Sequence, residues 1–271
     1  MAKFAANLSM LWPELDIYDR FAAAAAAGFS RVEILFVHAL DHDRMAGLLR
    51  DHRLELVLFD PAPGNWEAGE RGLLSLPGRE ADFMDSIRDA LKAAKLFGTG
   101  RLNAIAGVLP AGASREEAER TAVANLKNAA PLAQDAGVLL LIEPINNVDM
   151  PGYVADSVER GVALVERADH PSVRLQLDQY HVGMMAGDCR AALQQYAPLV
   201  EHVQIADVPG RHEPGTGQQP IAEFLSDLDG VGYTGGGPGV SAARQHRAGA
   251  CLAACWPAPL APPRCFDRAA Q

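Results

Sequence analysis

Three observations predict a (β/α)8 barrel of the TIM type for this chain. Strand-like apolar runs alternate with helix-like amphipathic segments seven times between residues 4 and 228. Each strand-plus-helix unit takes about 30 residues, the size of one βαβ step. Strict alternation of this kind means a parallel sheet, and eight such units close a barrel. A length of 271 residues suits one such domain. A doubly wound open sheet is the runner-up, but the first turn lacks the G-x-G-x-x-G that would support it.

The elements follow in order. Phe4 to Leu8 reads as the first strand. Asp16 to Ala27 reads as a helix with Ile17, Phe21 and Ala24 on one face and Gly28 after its end. Val32 to Phe36 and Leu54 to Phe59 are the second and third strands, with a helix over Asp43 to His52 between them. The segment 62–78 holds Trp66, Glu70 and Arg71, and a loop of that length in a compact domain is expected to be a functional lid. A third helix runs from Arg79 to Phe97, and Arg101 to Ala106 forms the fourth strand. Ser114-Arg115-Glu116-Glu117 has capping-box spacing and opens a long helix to Ala136. Val138 to Ile142, Val173 to Asp178 and Val200 to Asp207 are strands five to seven. Helices over Ser157 to Ala168, Asp188 to Ala197 and Ile221 to Leu228 follow them.

The pattern then stops. After Gly232-Tyr233-Thr234-Gly235 an eighth strand is due, and the chain instead reads Gly236-Gly237-Pro238-Gly239-Val240. Strand eight and the last helix are expected to be absent or degraded. Residues 1–235 are therefore read as the barrel domain, and 236–271 as a disordered tail rich in Gly, Ala, Pro and Arg. That tail is either a true extension or the product of a shifted reading frame, which the coding DNA would decide. Its Cys251, Cys255 and Cys265 form no C-x-x-C pair, so no zinc knuckle is expected.

Composition excludes several classes. A net charge of -10 argues against a binder of phosphate backbones. No apolar run reaches the roughly 18 residues of a membrane span. Nothing at Met1 to Phe4 resembles a signal peptide, so the expected setting is the cytosol. An assembly of identical subunits is left open.

Chemistry is expected where strands end in carboxylates. Glu143 closes an apolar run that Pro144 stops, and Asp178 and Gln204 close strands six and seven. In a barrel these ends converge on one face, where active sites lie. Two carboxylates and an amide oxygen make a hard, oxygen-rich set suited to magnesium or manganese. His181 and Arg211 follow in the next loops, where they would offer an anionic substrate a hydrogen-bond donor and a cation.

Several ordered segments then carry a resemblance. They include Ala6-Asn7-Leu8-Ser9-Met10-Leu11, Trp66-Glu67-Ala68-Gly69-Glu70-Arg71-Gly72 and Ile142-Glu143-Pro144-Ile145-Asn146. Asp178-Gln179-Tyr180-His181, Gln204-Ile205-Ala206-Asp207 and Gly210-Arg211-His212-Glu213-Pro214-Gly215-Thr216-Gly217 continue it. Over residues 3–235 the chain resembles the hydroxypyruvate isomerase family, which is placed among the xylose isomerase-like barrels. The resemblance implies that Glu143 is a catalytic glutamate that also faces a metal. It further implies that Asp178 and Gln204 are metal ligands and that His181 and Arg211 contact the substrate. The family's second catalytic glutamate falls on Val240, which can neither move a proton nor bind a metal, and Gln218 stands where the family has a glutamate.

The reaction so implied is the interconversion of hydroxypyruvate and 2-hydroxy-3-oxopropanoate (tartronate semialdehyde) through an enediolate. Loss of one acid–base partner costs about 100- to 10,000-fold in rate, so weak activity is expected. A missing strand would also leave an open, aggregation-prone edge. A 2-oxo-tetronate isomerase would use the same residues. A non-catalytic sugar-acid binder would keep the pocket and lose turnover. A DNA-repair nuclease fits least, on charge and on histidine content.

Overall fold

The computed structural model describes residues 4–109, 111–233 and the backbone of 238–240. Eight parallel strands close into a ring in sequence order. They are β1 (Ala5–Asn7), β2 (Arg31–Phe36), β3 (Glu55–Asp60), β4 (Arg101–Asn103), β5 (Leu139–Ile142), β6 (Val173–Asp178), β7 (Val200–Ile205) and β8 (Pro238–Val240). Helices α1 (Asp19–Ala26), α2 (His42–Asp51), α3 (Glu80–Phe97), α4 (Arg115–Asp135) and α5 (Val158–Ala168) follow the first five strands. A short α6 (Gln179–Met184) and α7 (Cys189–Tyr196) both follow β6, and α8 (Ile221–Gly230) follows β7. The expected capping at Ser114 is present, its hydroxyl accepting from the Glu117 amide at 3.1 Å. Several boundaries shift: α1 begins at Asp19 rather than Asp16, Ala104 to Ala106 leave β4, Ala206 and Asp207 leave β7, and His181 lies on α6 rather than in a loop.

Side-chain alternation divides each strand between two cores. Ala6, Leu56 and Leu140 belong to the large cluster between sheet and helices. Their neighbours Ala5, Val57 and Leu141 form a separate, smaller cluster. Two residues further along, that second face turns polar, with Asn7, Gln176, Asp178 and Glu143 all buried. A small apolar layer thus lies beneath the hydrogen-bonding groups of the C-terminal end, and at the N-terminal ends of β4 and β7 Arg101 pairs with Glu201 at 2.7 Å.

The expectation of an open edge is corrected. Two of the three residues of β8 pair on both sides, Gly239 with Gln204 and Ala5, and Val240 with Ile205 and Ala6, while Pro238 pairs with Val203 alone. Strand pairing uses backbone groups, so a segment with degenerate side chains still closes the ring. Pro238, which has no N–H to give, stands at the first position of the strand, where proline is tolerated. The strand is nevertheless short, three residues against six in β7. The remaining residues assigned to the tail, 241–271, lie outside the described residues, as do 236 and 237.

The segment 62–78 is not a lid along its whole length. Leu73, Leu74, Ser75 and Leu76 are buried. The Ser75 amide donates to the Ala106 carbonyl at 3.0 Å, and Asn125 Nδ2 donates to the Leu74 carbonyl at 2.8 Å. Gly72 and Gly107 cross so closely that a Cβ on Gly72 would lie 2.4 Å from the Ile105 carbonyl oxygen. The tip from Asn65 to Gly69 is exposed, held to the body through Trp66. There Arg71 stacks on Trp66 at 4.0 Å, and Trp66 packs against Phe36 at 5.0 Å between centroids.

Candidate active site

The C-terminal ends of five strands converge on a cavity of about 220 Å³. Its lining includes Asp60, Trp66, Asn103, Glu143, His181 and Arg211, with Gln204 also on its wall. Glu143 is the first residue after β5, and Pro144 prevents the strand from continuing past it. Asn103 Nδ2 donates to Glu143 Oε2 at 2.7 Å. Burial, together with the negative charge of Asp178, pushes the Glu143 carboxyl up to about 8.

Asp178 ends β6 and caps α6, its Oδ1 accepting from the Tyr180 amide at 2.9 Å. Its other oxygen accepts from Arg211 Nη2 at 2.6 Å. This is a buried charge pair, with the guanidinium also 4.9 Å above the Tyr180 ring. Arg211 is delivered by the loop after β7, in a left-handed conformation with φ 56°. That loop is organised by Asp207, which accepts from the amides of Val208, Gly215 and Gln219 at 2.8 to 3.1 Å. Gly217 is required there, since a Cβ would sit 2.4 Å from Asp207 Oδ1.

His181 sits one turn beyond Asp178. Asn146 fixes its tautomer. The Asn146 side-chain oxygen accepts from the amides of Val148 and Asp149 at 3.1 and 2.8 Å, which leaves Nδ2 facing His181 Nδ1 at 2.7 Å. Nδ1 must therefore accept, and Nε2 carries the proton toward Glu143 and Asp178, 3.8 and 3.7 Å away. Burial drives the imidazole down to about 4, so it is neutral at pH 7 and acts as a single hydrogen-bond donor.

Gln204 is held from two sides. Its Nε2 donates to Glu33 Oε1 at 2.7 Å, and its oxygen accepts from Gln176 Nε2 at 3.0 Å. Glu33 also accepts from Asn7 Nδ2 at 3.1 Å and pairs with His202 Nε2 at 2.9 Å. The buried carboxylate of Glu33 is thus the hub that sets which way the Gln204 amide faces.

Glu143, Asp178 and His181 bring ligand atoms within 4.8 Å of one another, a group able to hold a metal ion. The donor set fits a divalent ion best through its oxygens. Each carboxylate has lone pairs to offer, and the Gln204 oxygen keeps one after accepting from Gln176. Ligation by His181 Nε2 would require loss of its proton and a rearranged Asn146.

The structure brings together all five residues expected from the sequence. Asp60, Asn103, Asn146 and the hub at Glu33 were not foreseen. Asp60 carried the signal that exposed Glu143: Phe59-Asp60-Pro61 repeats the apolar–acid–proline ending of Ile142-Glu143-Pro144.

With this site on the ends of a closed parallel barrel, a family profile decides the lineage: that of the xylose isomerase-like TIM barrel matches residues 21–239. The chain belongs to the xylose isomerase-like TIM barrel family. A 2-oxo-tetronate isomerase of Cupriavidus necator is 43% identical over 235 residues, 87% of this chain and 90% of that protein. The hydroxypyruvate isomerase of Escherichia coli K12 is 37% identical over 235 residues, 87% of this chain and 91% of that protein. A crystal structure described as AP endonuclease, family 2, from Brucella melitensis superposes with a TM-score of 0.91. It is 38% identical, covering 96% of this chain and all 100% of that one. Within this xylose isomerase-like barrel, no helix of the described residues is long and apolar enough to cross a membrane.

Proposed function

We propose that this xylose isomerase-like barrel is an aldose–ketose type isomerase of short 2-oxo-hydroxy acids, interconverting hydroxypyruvate and 2-hydroxy-3-oxopropanoate. The observation that carries the reading is Glu143, a buried carboxyl facing Arg211 and His181 across a cavity of about 220 Å³. A cation and a neutral donor beside an elevated carboxyl suit an anionic substrate that must lose a proton next to its carbonyl. Arg211 is the group that would hold the substrate carboxylate, already oriented by Asp178 at 2.6 Å. His181 Nε2–H would donate to an oxygen on which charge develops.

Glu143 would take the C3 proton and return one to C2. Its raised value, about 8, leaves the basic form in the minority near neutral pH. A divalent ion held by Glu143, Asp178 and the Gln204 oxygen, with magnesium or manganese the fitting choices, would supply charge stabilisation for the enediolate. Support for the isomerase reading over phosphodiester hydrolysis comes from the net charge of -10 and from the relatives named as isomerases. The relative named for a four-carbon substrate, at 43% identity, favours 2-oxo-tetronate as the second compound to assay.

The test is a substrate panel followed by NMR, with hydroxypyruvate and 2-oxo-tetronate, each with added Mg²⁺ or Mn²⁺ and with chelator. Turnover of either that Glu143→Gln abolishes supports the reading. Binding without proton exchange or turnover would make the barrel a sugar-acid binder instead.

A further inference from the structure

Moving a proton from C3 to C2 is half of the isomerisation. The substrate's oxygens must also exchange a proton, because a carbonyl becomes a hydroxyl and a hydroxyl becomes a carbonyl. Strand β8 contributes no carboxylate for this in its three paired residues. Gly239 is the residue level with Gln204, Val240 is level with Ile205, and neither carries an acid.

Asp60 stands at the end of β3 on the wall of the same cavity as Glu143. It is 2% exposed, and its Oδ1 has no hydrogen-bond partner among the described residues. Asn103, whose amide holds Glu143 at 2.7 Å, lines the cavity with it, and the Asn103 oxygen is likewise unpartnered. Unpaired polar atoms in a buried site are costly unless something else meets them. Among the described residues, no cation pairs with Asp60. Its facing charges are Glu143 and Glu33, both acidic, and with burial they raise its carboxyl well above the usual range, the Asn103 amide offsetting this in part.

We propose that Asp60 is a catalytic acid–base group of the isomerisation, handling the oxygen-bound protons while Glu143 handles the carbon-bound one. In the first step the C3–H bond breaks and its proton goes to the Glu143 carboxylate. The electron pair forms C2=C3, and the C2 carbonyl oxygen takes the Asp60 proton. In the second step the Asp60 carboxylate takes the proton of the C3 hydroxyl and C3=O forms. The C2=C3 pair then takes the proton from Glu143 at C2. Both carboxyl groups return to their starting states, and no oxidant or reductant is consumed. Through both steps the pair carries one negative charge in total, passed from Glu143 to Asp60 and back.

The role rests on the isomerase reading above, so the parent chain is measured first. Asp60→Asn keeps shape and removes the transferable proton. Its isomerisation of hydroxypyruvate is expected to fall about 100- to 10,000-fold in kcat, with KM changed by less than about threefold. Exchange of the C3 protons into D₂O should fall less than isomerisation, so that the exchange-to-isomerisation ratio rises, whereas Glu143→Gln should lose both. Asp60→Glu should restore part of the rate. A kcat for Asp60→Asn within about threefold of the parent overturns the role of Asp60 alone. A parent with neither exchange nor turnover on hydroxypyruvate or 2-oxo-tetronate overturns the isomerase reading, and this role with it. Should Asp60→Asn not fold, ¹³C NMR of the parent labelled at its Asp carboxyls decides. At least one Asp carboxyl stays protonated at pH 7 if the role holds; every Asp ionised overturns it.

Discussion

Glu143→Gln should make the protein more stable while removing its activity, and the gain should depend on pH. The substitution keeps the oxygen that accepts from Asn103 at 2.7 Å and removes an ionisable group whose native value lies near 8 against an ordinary 4.5. A raised native value means that the folded state binds the proton more tightly than the unfolded one. Between these two values the folded state holds more protons, so stability falls as pH rises. Below 4.5 both states are protonated and Glu143 contributes nothing; above 8 the full penalty applies. At pH 7 the difference amounts to about 3 kcal/mol, taking ~1.4 kcal/mol for each pH unit between the ordinary value and the working pH. Denaturant unfolding of parent and variant at pH 5 and pH 8, both with chelator, reads this directly. The variant should gain little at the lower pH and a few kcal/mol at the higher one. Chelator matters because a bound cation would favour the carboxylate and reverse the sign. An equal difference at both pH values, or a less stable variant at pH 8, would refute the placement of Glu143 in a buried, acid-flanked site.

Three further outcomes follow from the same geometry. Arg211→Lys should raise KM at least about tenfold while leaving the fold intact, since a lysine cannot meet Asp178 and a substrate carboxylate with one planar fork; steady-state kinetics check it. Added Mn²⁺ should raise the unfolding midpoint of the parent, and Asp178→Asn should abolish that rise if the carboxylates hold the ion; a shift surviving in Asp178→Asn places the metal elsewhere. In an Asp60→Asn background, one of Gly239→Glu and Val240→Glu should restore turnover about 100-fold by supplying the missing second carboxylate. The register of β8 favours Gly239→Glu, level with Gln204, whereas the sequence resemblance favours Val240→Glu, level with Ile205.

The barrel and its site were legible in the sequence to different depths. A buried parallel strand writes itself as a continuous apolar run at Leu139–Ile142, and as an alternation of apolar and polar residues at Val173–Asp178. Glu143, Asp178 and Gln204 were legible because each is a metal-competent side chain at the end of its strand, where barrels place their chemistry. Asp60 ends its strand in the same way and was passed over because no later motif drew attention to it. Residues that act by orienting others left no local mark. Asn146 sets the tautomer of His181 from 35 positions away, and Glu33 holds Gln204 from 171. Such contacts exist only once the ring has closed. Closure itself misled for the opposite reason: a three-residue ladder needs backbone alone, and side-chain pattern is silent about backbone.

The crossing of Gly72 and Gly107 has a consequence for the energetics of ligand capture. A seventeen-residue segment from 62 to 78 free to fold over a substrate would lose conformational entropy along its whole length, at about 1–2 kcal/mol for each residue ordered. Here the far half is ordered before any ligand arrives, because it is pinned by the glycine crossing and by Ser75 on Ala106. Only the tip bearing Trp66 is left to settle on a bound molecule. A three- or four-carbon acid offers few atoms with which to offset an entropic cost, and a pocket wall assembled during folding lets a ligand of that size keep most of its contact energy as affinity.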